Sequence, residues 1–342
     1  MEEVTPIGSR KSEHLRINLE EDVQSRLTSG LEQYHFVHHA LPEINLIDVN
    51  PSVKLFGKLL SAPILISSMT GGTREASKIN QILATAAQDA QIAMGVGSQR
   101  IALEHPELVD SFQVRHVAPD ILLFANLGAI QLNYGFRIDE CQRAVDMIEA
   151  DALVLHFNPL QEAVQTEGDT QFAGLIKKVE AVCKALTVPV IAKEVGWGFS
   201  KDDITLLIQA GVTAIDVAGA GGTSWSQVEM YRSKDESKRN LAAAFSDWGI
   251  PTVEVIQTVI KVAPGLKIIA SGGVRTGVDI AKCVAMGASL GGMAGPFLKT
   301  ASQSVEETIK LINLLKEEVS ICMFATGSKT LDQLRHDKLV RN

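Results

Sequence analysis

The chain has 342 residues, enough for two ordinary domains or one large α/β barrel. Hydrophobic residues make up 46% and charged residues 21%, as in a soluble enzyme, while aromatics at 5% are too few for a sandwich or an aromatic-rich docking surface. A net charge of −8 argues against a nucleic-acid binder and leaves room for a local basic pocket.

The chain opens on Met1-Glu2-Glu3, which is acidic and is followed by no apolar signal-peptide core. No apolar run reaches the roughly 20 residues of a membrane span. Cys141, Cys183, Cys283 and Cys322 are far apart and form no CxxC pair, so they read as buried free thiols rather than a zinc site. A soluble, cytoplasmic protein is expected. Arg10-Lys11-Ser12-Glu13-His14 sets two cations beside a histidine. These could clamp a phosphorylated substrate or lie solvated. Residues 1–60 form an extension ahead of the regular part of the chain, residues 61–342, which reads as one domain overall.

Eight short apolar runs follow. They are 63–67, 93–96, 121–125, 152–155, 188–192, 214–218, 267–271 and 289–293, and most are spaced as a strand plus a helix plus two loops. Helices are expected between them. One covers Glu75 to Ala90. Another covers Thr170 to Leu186, with an apolar stripe from Phe172 through Leu175, Ile176, Val179, Val182 and Cys183. A third opens at Ser200, an N-cap followed by Asp202 and Asp203. Strand and helix in alternation, eight times over, predict a TIM (β/α)8 barrel with an N-terminal extension and a long loop after strand six. In that loop, Tyr231 to Asn240 reads as a mobile lid or as a solvated insertion.

In such a barrel the chemistry sits where the strands end. Each run exits into small or polar residues. The first gives Ser67-Ser68-Met69-Thr70-Gly71-Gly72, the second Gly97-Ser98-Gln99-Arg100, the third Asn126 and the sixth Gly221-Gly222-Thr223. The fourth gives His156-Phe157-Asn158-Pro159-Leu160-Gln161-Glu162, where Pro159 stops the strand and leaves an imidazole, amides and a carboxylate together. Lys193 ends the apolar run Val190-Ile191-Ala192. It calls for a salt bridge, a Schiff base or a contact to an electron-rich cofactor, the plain alternative being a lysine that snorkels from the strand end. Glu194, of opposite parity, points elsewhere. The seventh and eighth exits, Ser271-Gly272-Gly273-Val274-Arg275 and Ala294-Gly295, have glycines where barrels hold a phosphate; the plain alternative is tight turns. Arg100 has the planar fork that suits phosphate oxygens.

Met69-Thr70-Gly71-Gly72, Gly97-Ser98-Gln99-Arg100, the His156 to Glu162 block, Gly221-Gly222-Thr223-Ser224-Trp225 and Ser271-Gly272-Gly273-Val274-Arg275 occur in order behind Arg10-Lys11-x-Glu13-His14. With this set the chain closely resembles the type 2 isopentenyl-diphosphate isomerases, from about residue 9 to about residue 330. The resemblance implies an FMN-binding TIM barrel that interconverts isopentenyl and dimethylallyl diphosphates, with reduced FMN, NADPH to reduce it, and Mg²⁺. It implies that Ser67, Ser68, Met69, Thr70, Ser98, Asn126, Lys193 and Thr223 line the flavin, and that Gly273, Val274, Arg275, Ala294 and Gly295 hold its phosphate. Arg10, Lys11, Ser98, Gln99, Arg100, His156, Asn158 and Gln161 would face the substrate, Gln161 and His156 as catalytic candidates, and Glu162 would bind Mg²⁺.

The chemistry fits that set. A diphosphate wants Arg, Lys and a hard cation on carboxylate oxygen. An unactivated alkene is a very weak base, and the family picture has reduced FMN supply and recover the proton. Gln161 cannot ionise, so it would position or relay a proton. The family is usually a tetramer or octamer, so a homo-oligomer is expected. Two rivals remain. A 2-hydroxy-acid oxidase would carry a His base and an Arg after the sixth strand, where this chain reads Ala218-Gly219-Ala220-Gly221-Gly222-Thr223. A non-catalytic flavin- or phosphate-binding barrel would leave the His156 block without a task.

Overall fold

The computed structural model describes residues 6–335 and 337–342, with side chains from Arg10 onward. The acidic opening Met1-Glu2-Glu3 lies outside the described residues. Eight parallel strands close into a barrel in chain order. They are β1 (Ile64–Ile66), β2 (Ala93–Gly95), β3 (Leu123–Gly128), β4 (Ala152–Phe157), β5 (Val190–Glu194), β6 (Ala214–Asp216), β7 (Lys267–Ala270) and β8 (Leu290–Met293). Every expected run overlaps its strand, and β3, β4 and β5 extend two or three residues past theirs.

Side chains alternate across a strand, and this splits the core in two. Leu65, Ala93, Phe124, Ala152, Val154, Ile191, Ala214, Ile269 and Leu290 form one buried cluster, the barrel's interior. Residues of the other parity, such as Ile64, Ile66, Leu153, Leu155, Ile215 and Ala270, pack outward against the helices. Beneath the barrel, the hairpin of Val53–Leu55 and Lys58–Leu60 adds Leu55 and Leu60 to the interior cluster. Phe56 meets Phe124 edge-on, with ring centroids 6.3 Å apart. This end is apolar.

Two positions beyond the interior cluster, the same inward parity carries polar or minimal side chains. Ser67, Asn126, His156, Lys193, Asp216 and Ser271 stand there, with Gly95 and Gly292 on the remaining strands. A Cβ on Gly292 would come within 2.6 Å of Ser67 Oγ, so glycine is required where the ring narrows. The barrel's mouth is thus built by continuing the rule that builds its core.

The extension spans both ends of the barrel. Helix Pro6–Glu20 packs on the helix Trp225–Arg232 at the mouth. A strap follows: Ser25 N–H donates to Gly222 O (2.8 Å), and Ser224 N–H to Val23 O (2.8 Å). Tyr34–Phe36 then pairs antiparallel with Leu339–Arg341.

Two expectations change. The helix foreseen from Thr170 to Leu186 is Leu175–Ala185, because Gly174 takes a left-handed φ of 74° and breaks the register before it. Phe172 still packs on the core, but from a turn. The segment Tyr231 to Asn240, open between a mobile lid and a solvated insertion, is mostly exposed and runs from the end of the helix Trp225–Arg232 through a short link into the helix Glu236–Ala243, capped by Asp235. The buried residues of the first helix, Ser226, Gln227, Val228 and Glu229, fix it to the N-terminal extension, where Val228 packs with Ile17 and Val23 and Glu229 meets His14, and to the second helix, where Gln227 Nε2 donates to Ala242 O. Ser200 does cap its helix, in a reciprocal box with Asp203.

Candidate functional site

At the mouth lies a cavity of about 810 Å³. Every residue expected at the site lines it except Gln99.

Lys193 and Asp216 are register partners on β5 and β6. The ammonium donates to Asp216 Oδ2 at 2.8 Å and to Ser271 Oγ at 3.3 Å. Ser271 in turn donates to Asp216 Oδ1 at 2.5 Å. Of the readings open for Lys193, the salt bridge is present. It still leaves one N–H of the ammonium without a protein partner, and Lys193 faces the cavity. Asp216 was legible in principle: a carboxylate inside an apolar strand needs a cation of matching parity.

On β4, His156 Nδ1 lies 2.8 Å from Asn126 Oδ1. Burial, then the charges of Lys193 and Lys11, push the imidazole down to about 4, so it is neutral at physiological pH. After Pro159 the chain turns into the helix Pro159–Val164. Asn158 Nδ2 donates to Gln161 Oε1 (3.1 Å) and Glu162 Oε1 (2.8 Å). Glu162 Oε2 accepts from Asp169 N–H (2.7 Å) and Gln165 Nε2 (3.2 Å). Burial raises Glu162 above the usual carboxylate range, opposed by those hydrogen bonds and by Arg10. Asn158 Oδ1 is buried without a partner, beside the Glu162 carboxylate.

The helix Pro6–Glu20 brings Arg10 and Lys11 over this block. Burial lowers both cations, Lys11 to about 7. Lys11 Nζ donates to Ser98 O (2.8 Å) and sits 5.2 Å from the centre of the Phe112 ring. His14 holds the helix down: its Nε2 is 2.9 Å from Glu229 Oε1, and its ring is edge-on to Trp225. Burial would raise Glu229, but His14 and then Arg232 bring it below its usual value. Arg100 is already paired, with Glu104 (2.9 Å) and Asp169 (2.7 Å). Asp169 and Glu229 were not found from sequence, because each is remote in the chain from the lining residue it holds, Arg100 or His14.

Gln99 is a correction. It is fully buried and turned away from the cavity. Its Nε2 donates to Ala144 O (2.8 Å), and its Oε1 accepts from Asn126 N–H (2.9 Å). Ser98 and Arg100 line the cavity on either side of it. Gln99 precedes the short helix Arg100–Glu104, and entry into that helix rotates its side chain inward. Nothing local in Gly-Ser-Gln-Arg announces this.

At β7 and β8 the cavity wall is backbone. Gly272 and Gly273 hold φ of 97° and 72°, and added Cβ atoms would meet Gly219 O at 2.1 Å and Gly221 O at 2.6 Å. Nothing lies within 4 Å of a Cβ built on Gly295, so that backbone is open to an approaching group. Arg275 stands at the rim, where its Nη2 donates to Gln24 Oε1 at 2.7 Å. The β5 exit is different. There Glu194 Oε2 accepts four successive N–H groups, of Val195, Gly196, Trp197 and Gly198, at 2.6–3.0 Å. Burial raises this carboxyl to about 7 against their combined pull.

The FMN-dependent dehydrogenase family matches residues 136–341. A mandelate oxidase structure superposes with a TM-score of 0.68 at 18% identity, covering 96% of this chain and 95% of that one. A second, at TM-score 0.64 and 19% identity, covers 98% and 92%. These share the fold. Closer in sequence is an isopentenyl-diphosphate delta-isomerase of Nostoc sp., 54% identical over 96% of this chain and 94% of its own. The chain belongs to the isopentenyl-diphosphate delta-isomerase family. A Rickettsia peacockii member is 50% identical over 95% of both chains.

The site fits the flavin that this FMN-dependent fold implies. The cavity volume lies in the range of cofactor pockets. Ser67 Oγ is buried there without a partner, and the glycine wall admits a phosphate against bare N–H groups. Glu162 offers carboxylate oxygen to a hard cation, although no cluster of three His, Cys, Asp or Glu side chains exists among the described residues. Magnesium accepts so few protein ligands when phosphate oxygens complete its shell.

Proposed function

We propose that this chain interconverts isopentenyl and dimethylallyl diphosphates, with reduced FMN, NADPH as the reductant and Mg²⁺ as the metal. The observation carrying this is the polarity of the cavity. The strand ends bring glycine backbone with Ser67, Asn126, His156, Lys193 and Thr223 to the lining, and the helix Pro6–Glu20 with the helix after β4 add Arg10, Lys11, Asn158, Gln161 and Glu162. Bare backbone suits one phosphate, and the Arg10–Lys11 pair suits a second phosphorylated ligand.

FMN, when bound, would supply the proton donor and acceptor that the alkene needs. The protein does the rest. Lys193, with its free N–H, would hold an electron-rich ring edge. Gly273, Val274, Arg275, Ala294 and Gly295 would hold the FMN phosphate. Arg10, Lys11 and Ser98 would grip the diphosphate, with Arg100 at the rim keeping Asp169 in place. Glu162 would take Mg²⁺, and Asn158 would orient both Glu162 and Gln161. Gln161 accepts from Asn158 through Oε1, which leaves its NH₂ for the substrate. The roof formed by the helix Pro6–Glu20, with Leu15 and Trp225 on the lining, would keep water from a cationic intermediate.

An oxidase reading is disfavoured by the loop after β6, which brings neither His nor Arg to the cavity. Four free cysteines agree with a reducing cytoplasm. No helix among the described residues is long and apolar enough to cross a membrane. Exposed Leu41, Ile47 and Leu59 are consistent with a homo-oligomer, which sedimentation would measure. The deciding experiment follows the olefin by NMR under anaerobic conditions, with FMN, Mg²⁺ and NADPH. Many turnovers are expected per NADPH oxidised. Stoichiometric NADPH loss, or no olefin shift, overturns the reading.

A further inference from the structure

His156 can face the cavity as a cation or as one of two neutral tautomers, and its neighbours distinguish these. Asn126 Nδ2 donates to Val96 O at 3.1 Å. That contact orients the amide, turning Oδ1 toward His156 Nδ1 at 2.8 Å. An amide oxygen only accepts, so Nδ1 carries the hydrogen. Asn126 is itself pinned on both sides of its backbone. Gln99 Oε1 accepts its N–H at 2.9 Å, and Gln99 N–H donates to its carbonyl at 2.9 Å. Gln99 is anchored in turn by Ala144 O. The charged groups facing the ring are Lys193 and Lys11; both oppose a second proton, with the Leu127 carbonyl as the opposing influence.

We propose that Gln99 is a positioning residue that acts through Asn126 to lock His156 as the neutral Nδ1–H tautomer, so that Nε2 offers the cavity a bare acceptor. The ligand group opposite His156 is then a donor, such as the N–H edge of a flavin, and not a phosphate oxygen. This deepens the function proposed above only in naming that ligand. The state of the ring is independent of turnover and is read separately.

Solid-state ¹⁵N spectra of histidine-labelled apoprotein test it, with the His156 signals assigned by their loss in His156→Asn. At pH 8 and pH 6 the expected pattern is one protonated Nδ1 and one bare Nε2. A protonated Nε2 or an imidazolium at either pH overturns the proposal. Inorganic pyrophosphate with Mg²⁺ should leave Nε2 bare, and conversion to imidazolium would count against the acceptor role. Gln99→Met keeps the length and removes the amide. It should split the signal between tautomers while circular dichroism stays native, and an unchanged signal removes Gln99 from the relay. Should Gln99→Met not fold, Asn126→Asp serves: an imidazolium signal should grow in as pH falls from 8 to 6, and its absence overturns the link.

Discussion

The two ends of the barrel are built from the same inward-facing positions and behave as opposites. Val154 and His156 are neighbours of one parity on β4, as are Ile191 and Lys193 on β5 and Ala214 and Asp216 on β6. Two residues along the strand convert a sealed apolar layer into a polar ring. The lower layer is closed by Leu55 and Leu60 of the hairpin, and the upper by the helix Pro6–Glu20. The lower lid supplies apolar area, and the upper supplies charge. Stability and chemistry are therefore stacked along each strand rather than assigned to separate domains.

Substitutions at the two levels should separate these roles. Lys193→Ala strands Asp216, which is 2% exposed, as an unpaired buried charge. A loss of about 3–5 kcal/mol by denaturant titration is expected, together with weakened FMN binding by absorbance. Unchanged FMN affinity would remove Lys193 from the cofactor wall. Leu55→Ala, at the other end, should cost about 2–5 kcal/mol and leave FMN affinity as it was. Coupled loss of both would mean the ends are not independent.

Glu162→Gln retains the shape and removes the charge. Mg²⁺-dependent substrate binding should weaken by about 1.5–3 kcal/mol, the worth of hydrogen bonds to a charged group, with FMN affinity intact. Equal loss of both affinities by calorimetry would contradict the metal role. The smallest effect concerns Lys11, held at about 7 in the free protein. An anion favours its ammonium, so below pH 7 the residue is already charged and affinity is flat. Above pH 7 binding must take up a proton, and affinity should fall by up to about tenfold per unit. Lys11→Arg should flatten this slope relative to the unmodified chain in pyrophosphate titrations.

Legibility from sequence followed the same division. Strands and mouth were readable because period-two burial and the glycine or polar exits are local signals. The parity argument that separated Glu194 from Lys193 holds in the structure. Contacts across distance were not readable. Arg100 reveals Glu104 four residues on, but not Asp169. Gln99 looks like its neighbours until the short helix after it turns its amide inward. The segment Tyr231 to Asn240 is polar enough to suggest a loose loop, yet the buried residues just before it, Gln227 to Glu229, anchor it.

The four N–H groups gathered by Glu194 have one more implication. A run of backbone amides converging on a point is an anion receptor, and it binds whichever anion arrives. Here the receptor at the β5 exit is filled from within by a covalently attached carboxylate, whereas the glycine wall of β7 and β8 is left bare. Glu194 thus saturates a nest that lies off the cavity, and the amides left bare toward a phosphoryl group are those of the glycine wall.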